Sequence, residues 1–270
     1  MSKVSICIPV FNGEDTIRDT IQSALNQTYQ DIEIVVIDNH STDKTVDIVK
    51  GINDDRIVLY ENETNLGMAG NWNECLKKAK GEYIHFLCAD DKLRRSCVEK
   101  KMKAVESKKD IVLVTSSTDI INENDELVMR RNRFWRNVVL DGRRYAKKSL
   151  HRGNIFGEPS NIMFKRSLLE KAGEFSTNLY YVTDWEFWVR LAVFGKVAYI
   201  YEPLTKYRIS MNNVTARTKL SKIMNDDDQM IKNLKESGLI DINIFDEVVH
   251  KGMLTGRNVA RYLYMRMKSR

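Results

Sequence analysis

The chain has 270 residues, of which 43% are hydrophobic and 30% charged, and it carries a net charge of +6. These proportions suit one large folded domain with a helical extension and exclude a disordered chain. No apolar run approaches the ~18–20 residues that cross a bilayer, and three prolines exclude long Pro-rich linkers.

Residues 3–11 form a strand-like run in which Pro9 interrupts the ladder, and Asn12-Gly13 makes a turn. Residues 14–27 have helical spacing at Ile17, Ile21, Ala24 and Leu25. A buried-type strand follows at 31–38, a helix at 43–51, and a third strand at 56–60. Asn65-Leu66-Gly67 is a loop leading into a helix over 69–80. Residues 83–88 are the fourth strand, 98–107 the fourth helix and 111–115 the fifth strand. This strict alternation predicts an α/β fold with a mostly parallel sheet, helices on both faces and right-handed crossovers.

Loops after parallel strands gather at one edge, so Asn12, Asp38, Asn65 and Asp90-Asp91 are expected to converge there. The strand over 83–88 stops abruptly at the two carboxylates. Adjacent carboxylates repel, and a cation is the natural way to keep both ionised. Such a cation could hold a nucleotide diphosphate; the plainer reading is an Asp-rich turn before a helix.

The residues Pro9-Val10-Phe11-Asn12, Ser23 with Gln27-Thr28, Ile37 to Asp43, Asn65-Leu66-Gly67, and Gly81-Glu82-Tyr83 leading to Asp90-Asp91 resemble the family 2 glycosyltransferases, which have the GT-A fold. The resemblance is dense over residues 3–115 and continues in patches to about 216. It implies that Pro9, Phe11 and Asn12 line a base pocket, that Asp38 accepts from the base, and that Asn65 and Gly67 belong to the nucleotide edge. It further implies that Asp90 contacts ribose or shares a cation, and that Asp91 is the direct ligand of Mg²⁺ or Mn²⁺. Cys88 stands where many relatives have an acid, Asn39 where a second Asp is frequent, and Trp72 where an Arg is common.

Residues 116–152 show weak periodicity, with a turn at 122–125 and a basic run at 130–136 that reads as a solvated loop or as a flap near phosphate. A strand at 161–165 and a helix at 167–171 closed by Gly173 follow. Thr183-Asp184-Trp185-Glu186 opens another helix. The resemblance makes Asp184 the catalytic base, with Glu186 as its backup; an N-cap role is the plain alternative for Asp184. A strand covers 197–201, and Arg208 is expected to neutralise phosphate. Residues 217–237 read as a helix whose Asp226-Asp227-Asp228 forms a solvated acidic face. Residues 241–270 are helix-prone and basic. They are expected to pack on the domain, with docking on an anionic membrane as the alternative.

The expected organisation is a catalytic domain over 1–216, with a nucleotide-binding half at 1–115 and an acceptor-side half at 116–216, then a helical extension over 217–270. The resemblance implies an inverting, metal-dependent transferase that moves sugar from a UDP- or dTDP-sugar to a cell-surface or lipid-linked saccharide. The competing reading is a nucleotide-sugar-binding protein without catalysis, for which Trp72, Cys88, Thr183 and Ser210 speak. Nucleic acid is not an expected partner, because the basic residues lack aromatic interleaving apart from Phe134-Trp135. Cys7, Cys75, Cys88 and Cys97 form no Cys-x-x-Cys pair, and His40, His85, His151 and His250 lack zinc-site spacing. Reduced thiols and the absence of a leader pattern point to the cytoplasm, including the inner face of the cell membrane.

Overall fold

A computed structural model describes residues 2–210, 218–254 and 256. Strands β1 (Val4–Val10), β2 (Ile32–Asp38), β3 (Ile57–Glu61) and β4 (Tyr83–Phe86) pair in parallel in the order β3-β2-β1-β4. Parallel return needs a crossover, and α1 (Ile17–Leu25), α2 (Thr45–Lys50) and α3 (Gly67–Lys78) supply it. Val10 sits opposite Asp38, and Asp38 opposite Glu61, so the carboxyl ends of these strands share one edge.

The second half continues the same sheet. Strands β6 (Ile111–Ile121) and β10 (Lys196–Arg208) are parallel to each other, and β9 (Met163–Lys165) runs antiparallel between β4 and β6. Short antiparallel strands β5 (Lys92–Leu93), β7 (Leu127–Arg131) and β8 (Val138–Asp141) complete ten strands, while parallel pairing carries most of the paired length. The helices of this half are α4 (Cys97–Glu106), α5 (Gly142–Arg152), α6 (Leu169–Ala172), α7 (Thr183–Ala192) and α8 (Leu220–Glu236), followed by helix over 244–254.

The period-2 pattern of β1 explains the two core layers. Val4, Ile6, Ile8 and Val10 pack with Ile17 and Ile21 of α1 and Met102 of α4 on one face. Cys7 faces the other layer, with Trp72 of α3 and the aromatic side chains of α7. Helix α1 starts later than its spacing suggests. Thr16 and Thr20 each donate to the Ala89 carbonyl at 2.8 Å, which ties the preceding turn to the Asp90 loop instead of extending the helix.

The reading of Asp226-Asp227-Asp228 as a solvated face is corrected. Asp226 and Asp227 are buried, and Asp226 accepts from Tyr180 N at 2.9 Å and Tyr181 N at 2.6 Å, anchoring α8 to the loop before α7. Only Asp228 of the three is exposed. The boundary expected at 216/217 and the basic end beyond Gly256 lie outside the described residues. Among the described residues no helix is long and apolar enough to cross a membrane.

Candidate active site

The edge formed by β1 and β2 builds the first part of the site. Pro9 is buried within β1, opposite Ile37, and Phe11 emerges just beyond the strand, 50% exposed. Asn12 adopts a left-handed conformation (φ 50°), which Asn tolerates better than most residues. Its N–H donates to Ser41 Oγ at 2.9 Å, and its Oδ1 accepts from Thr42 N at 2.8 Å, stitching the β1 and β2 loops together. Asp38 is 2% exposed. One carboxylate oxygen accepts from Ser41 N at 2.9 Å, and the other is buried with no partner among the described residues. A buried unpartnered acceptor costs ~1–3 kcal/mol or more, and a donor from a ligand would recover it.

Asn39 holds the next loop in place. Its Oδ1 accepts from Asn62 Nδ2 at 3.1 Å and Leu66 N at 2.9 Å, and its Nδ2 donates to Asn65 Oδ1 at 3.0 Å and the Gly67 carbonyl at 3.3 Å. Gly67 has φ +72°, where a side chain would be strained. Asn71 reaches back from α3 to the Ile37 carbonyl at 3.2 Å and accepts from Asn62 at 3.0 Å. Asn62 and Asn71 are organising residues that the sequence reading missed, and Asn39, noted there only as standing in place of an Asp, is their partner. Their signal was present as asparagines clustered after β2 and β3. Trp72, by contrast, is a core residue, with its ring 5.0 Å from Phe175.

The carboxylate pair divides into two environments. Asp91 is fully buried: Ser160 Oγ donates to Oδ2 at 2.5 Å and Arg208 N to Oδ1 at 2.9 Å. Both carboxylate oxygens of Asp91 are thus engaged by groups of the fold itself. Burial, then the charge of Asp90, pushes its carboxyl well above the usual range. Asp90 is half-buried, its carboxylate takes no hydrogen bond from another side chain among the described residues, and burial raises its pKa. Arg208 packs against the same turn. Its guanidinium donates to the carbonyls of Asp90 (3.0 Å), Asn122 (2.9 Å) and Glu123 (3.0 Å) and pairs with Asp125 at 2.6 Å. It ties the Asp90 turn to the β6–β7 hairpin.

Asp184 opens α7 and is partly exposed, with Asn154 Nδ2 3.4 Å from its Oδ2. Burial raises its pKa to about 6 against the opposing help of nearby N–H groups. Cys88 reports that the two halves meet. Burial, then the charges of Asp91, Asp90 and Asp184, pushes its thiol well above its ordinary value. Glu186 is corrected as the backup base: it is 1% exposed and held by Arg190 at 2.7 and 2.8 Å and by Ser176 at 3.1 Å. Replacing Arg190 by Met would leave Glu186 buried without its counter-charge. The expected loss is about 3–5 kcal/mol of stability in a urea titration. An unchanged midpoint would contradict the structural role.

Comparison with known proteins now bears on this geometry. The model of Glycosyl transferase family 2 matches residues 5–173. A protein of Escherichia coli, UDP-Glc:alpha-D-GlcNAc-diphosphoundecaprenol beta-1,3-glucosyltransferase, is 50% identical over 91 residues, covering 34% of this chain and 36% of that protein. The crystal structure of S. aureus TarS 1-349 in complex with UDP-GlcNAc has a TM-score of 0.75 at 18% identity, covering 93% of this chain and 71% of that one. A mannosyltransferase from Pyrobaculum calidifontis in complex with GDP-Man and Mn²⁺ has a TM-score of 0.63 at 18% identity, covering 93% of this chain and 69% of that one.

Proposed function

The chain belongs to glycosyl transferase family 2 and is a glycosyltransferase acting on nucleotide sugars; from that premise we propose that it moves one sugar from a UDP- or dTDP-sugar to a hydroxyl of a lipid-linked or cell-surface saccharide, inverting the anomeric centre. The observation that carries this reading is the unpartnered buried oxygen of Asp38 at the edge that also presents Asp90. An ionised carboxylate only accepts, and the imide N–H of uracil or thymine is a donor of the right kind. Phe11, exposed beside Asn12, offers its ring face to the base. The E. coli relative uses UDP-glucose and a diphosphoundecaprenol acceptor by its name, which supports a uridine donor and a lipid-linked acceptor here.

Among the described residues no group of three or more His, Cys, Asp or Glu side chains could hold a metal ion by itself. The residues fit a different arrangement, in which Asp90 supplies one hard carboxylate and the donor's phosphate oxygens supply the rest, as Mg²⁺ or Mn²⁺ accepts. When bound, the cation would offset negative charge on the departing diphosphate. Asp91 then acts from behind, holding the turn that aims Asp90.

Asp184 takes the proton of the acceptor hydroxyl as its oxygen attacks the anomeric carbon, and the nucleoside diphosphate leaves from the opposite side. One displacement inverts the centre without a covalent intermediate. The family match ends before Asp184, so its role rests on its position and chemistry. A base with a pKa of about 6 is mostly ionised at neutral pH. Below that value the carboxyl is protonated and cannot accept, so kcat/KM is expected to rise with pH through a limb near 6 and then level. Sugar-dependent release of UDP, followed from about pH 5 to about pH 8, measures this. A profile without an acidic limb would remove Asp184 from the step. The same assay across nucleotide sugars tests the function itself: no acceptor-dependent UDP release from any donor would leave only the binding-protein reading.

A further inference from the structure

Helix α5 carries two adjacent stripes of cations with different fates. On one, Arg143 donates to the Leu239 carbonyl at 2.8 Å, while Lys147 and His151 both reach Asp246, at 3.1 and 2.8 Å. That stripe is consumed by packing against the C-terminal helices. The other holds Arg144, Lys148 and Arg152 at i, i+4 and i+8, and no ion pair reaches any of them among the described residues. Burial first, and then the charges of Arg152 and Arg144, holds the Lys148 ammonium below its usual pKa. The stripe borders an open hollow of about 640 Å³ that Leu140, Lys147 and His151 also line.

An aromatic residue stands beside it. Lys148 Nζ lies 4.7 Å over the Phe134 ring, and the next residue, Trp135, is 86% exposed, followed by exposed Arg136. Uncompensated cations next to a projecting indole match the layered chemistry of a membrane surface, with anionic headgroups outside and a less polar layer within reach of Trp. A single free phosphate fits less well. The three cations span two helical turns, ~12 Å, and no enclosed cradle surrounds them.

We propose that this face, Trp135 and Arg136 with the Arg144, Lys148 and Arg152 stripe, docks the protein on an anionic lipid bilayer. It deepens the reading that the acceptor is lipid-linked, and rests on that reading for its purpose. Arg152 is followed by Gly153 and Asn154, whose amide meets Asp184. The docking face and the base are therefore joined by two residues of chain, and a bilayer at α5 would bring a membrane-borne acceptor to the base.

The test is co-sedimentation of the full chain with vesicles of phosphatidylglycerol and phosphatidylcholine, against phosphatidylcholine alone. Wild type is expected to bind the anionic vesicles and to release them as salt rises. A basic residue near an anionic leaflet contributes on the order of fivefold in partitioning, so R144Q/K148Q/R152Q is expected to lose on the order of 100-fold. Trp135→Ser is expected to weaken binding as well, and Arg143→Gln, from the engaged stripe, to leave it unchanged. Trp135, Arg143, Arg144 and Arg152 are exposed and Lys148 is half-buried, and matching thermal melts establish that the variants fold. Wild type that ignores anionic vesicles, a triple variant that binds like wild type, or binding removed by inorganic diphosphate at constant ionic strength would each overturn the proposal. Transfer to a soluble saccharide acceptor separates the two readings. If vesicle binding fails while transfer persists, the docking face falls alone. If transfer fails while vesicles bind as expected, the acceptor chemistry falls and the docking face stands.

Discussion

Asp184→Asn is expected to bind UDP as wild type does and to lose sugar transfer by ~10²–10⁴-fold, the usual contribution of a positioned general base. The substitution keeps the shape of the side chain and its place at the start of α7, so the fold and the donor edge stay intact. Only the ability to accept a proton is removed. Glu186 cannot take over, because it is buried and its oxygens are engaged by Arg190 and Ser176. Direct measurement of kcat with a saccharide acceptor, beside calorimetric titration of UDP, separates the two effects. Full activity would hand the base role to another group; lost UDP binding would mean that Asp184 serves the donor instead.

Asp90→Asn is expected to fold normally and to lose cation-stimulated donor binding and turnover on the order of 10²–10³-fold, the scale of removing one electrostatic stabiliser at a developing charge. The neighbouring substitution should behave differently. Asp91→Asn leaves Ser160 or Arg208 N facing a group that no longer accepts both donors, and the expected cost is ~1–3 kcal/mol of stability. Paired melting curves and manganese titrations of the two variants distinguish a group that faces the ligand from one that braces it. A cold-shifted melt for Asp90→Asn, with Asp91→Asn alone losing the cation response, would reverse the assignment.

The different environments of these adjacent carboxylates show where sequence reading stops. The alternation of strands and helices over the first hundred residues was legible because apolar residues recur with clear periods, and parallel topology then forces the loops after β1, β2 and β4 to one edge. Which of Asp90 and Asp91 faces outward was not legible. β4 ends at Phe86, and the turn closed by Asp91 N on the Cys88 carbonyl at 3.0 Å breaks the two-residue alternation that would have told them apart. The intramolecular partners of Arg208 were hidden for a related reason. A basic residue near a motif suggests phosphate, while its actual partners are backbone carbonyls from a hairpin eighty residues away in sequence. Helix α5 went unrecognised because cations fill its two outer stripes and its apolar side is narrow, so this stretch showed only weak periodicity. The strand β9, only three residues long, joins the two halves of the sheet through antiparallel pairs that no local period announces.

The central claim is that Asp38 and Asp90 hold two parts of one nucleotide at one sheet edge. Calorimetric titration of UDP with Mn²⁺ into wild type, Asp38→Ala and Asp90→Ala tests it most directly. Wild type is expected to bind only when the cation is present, and each variant to bind roughly tenfold to a hundredfold more weakly, the scale of one hydrogen bond or contact to a charged group. Equal affinity in wild type and either variant would contradict the shared site.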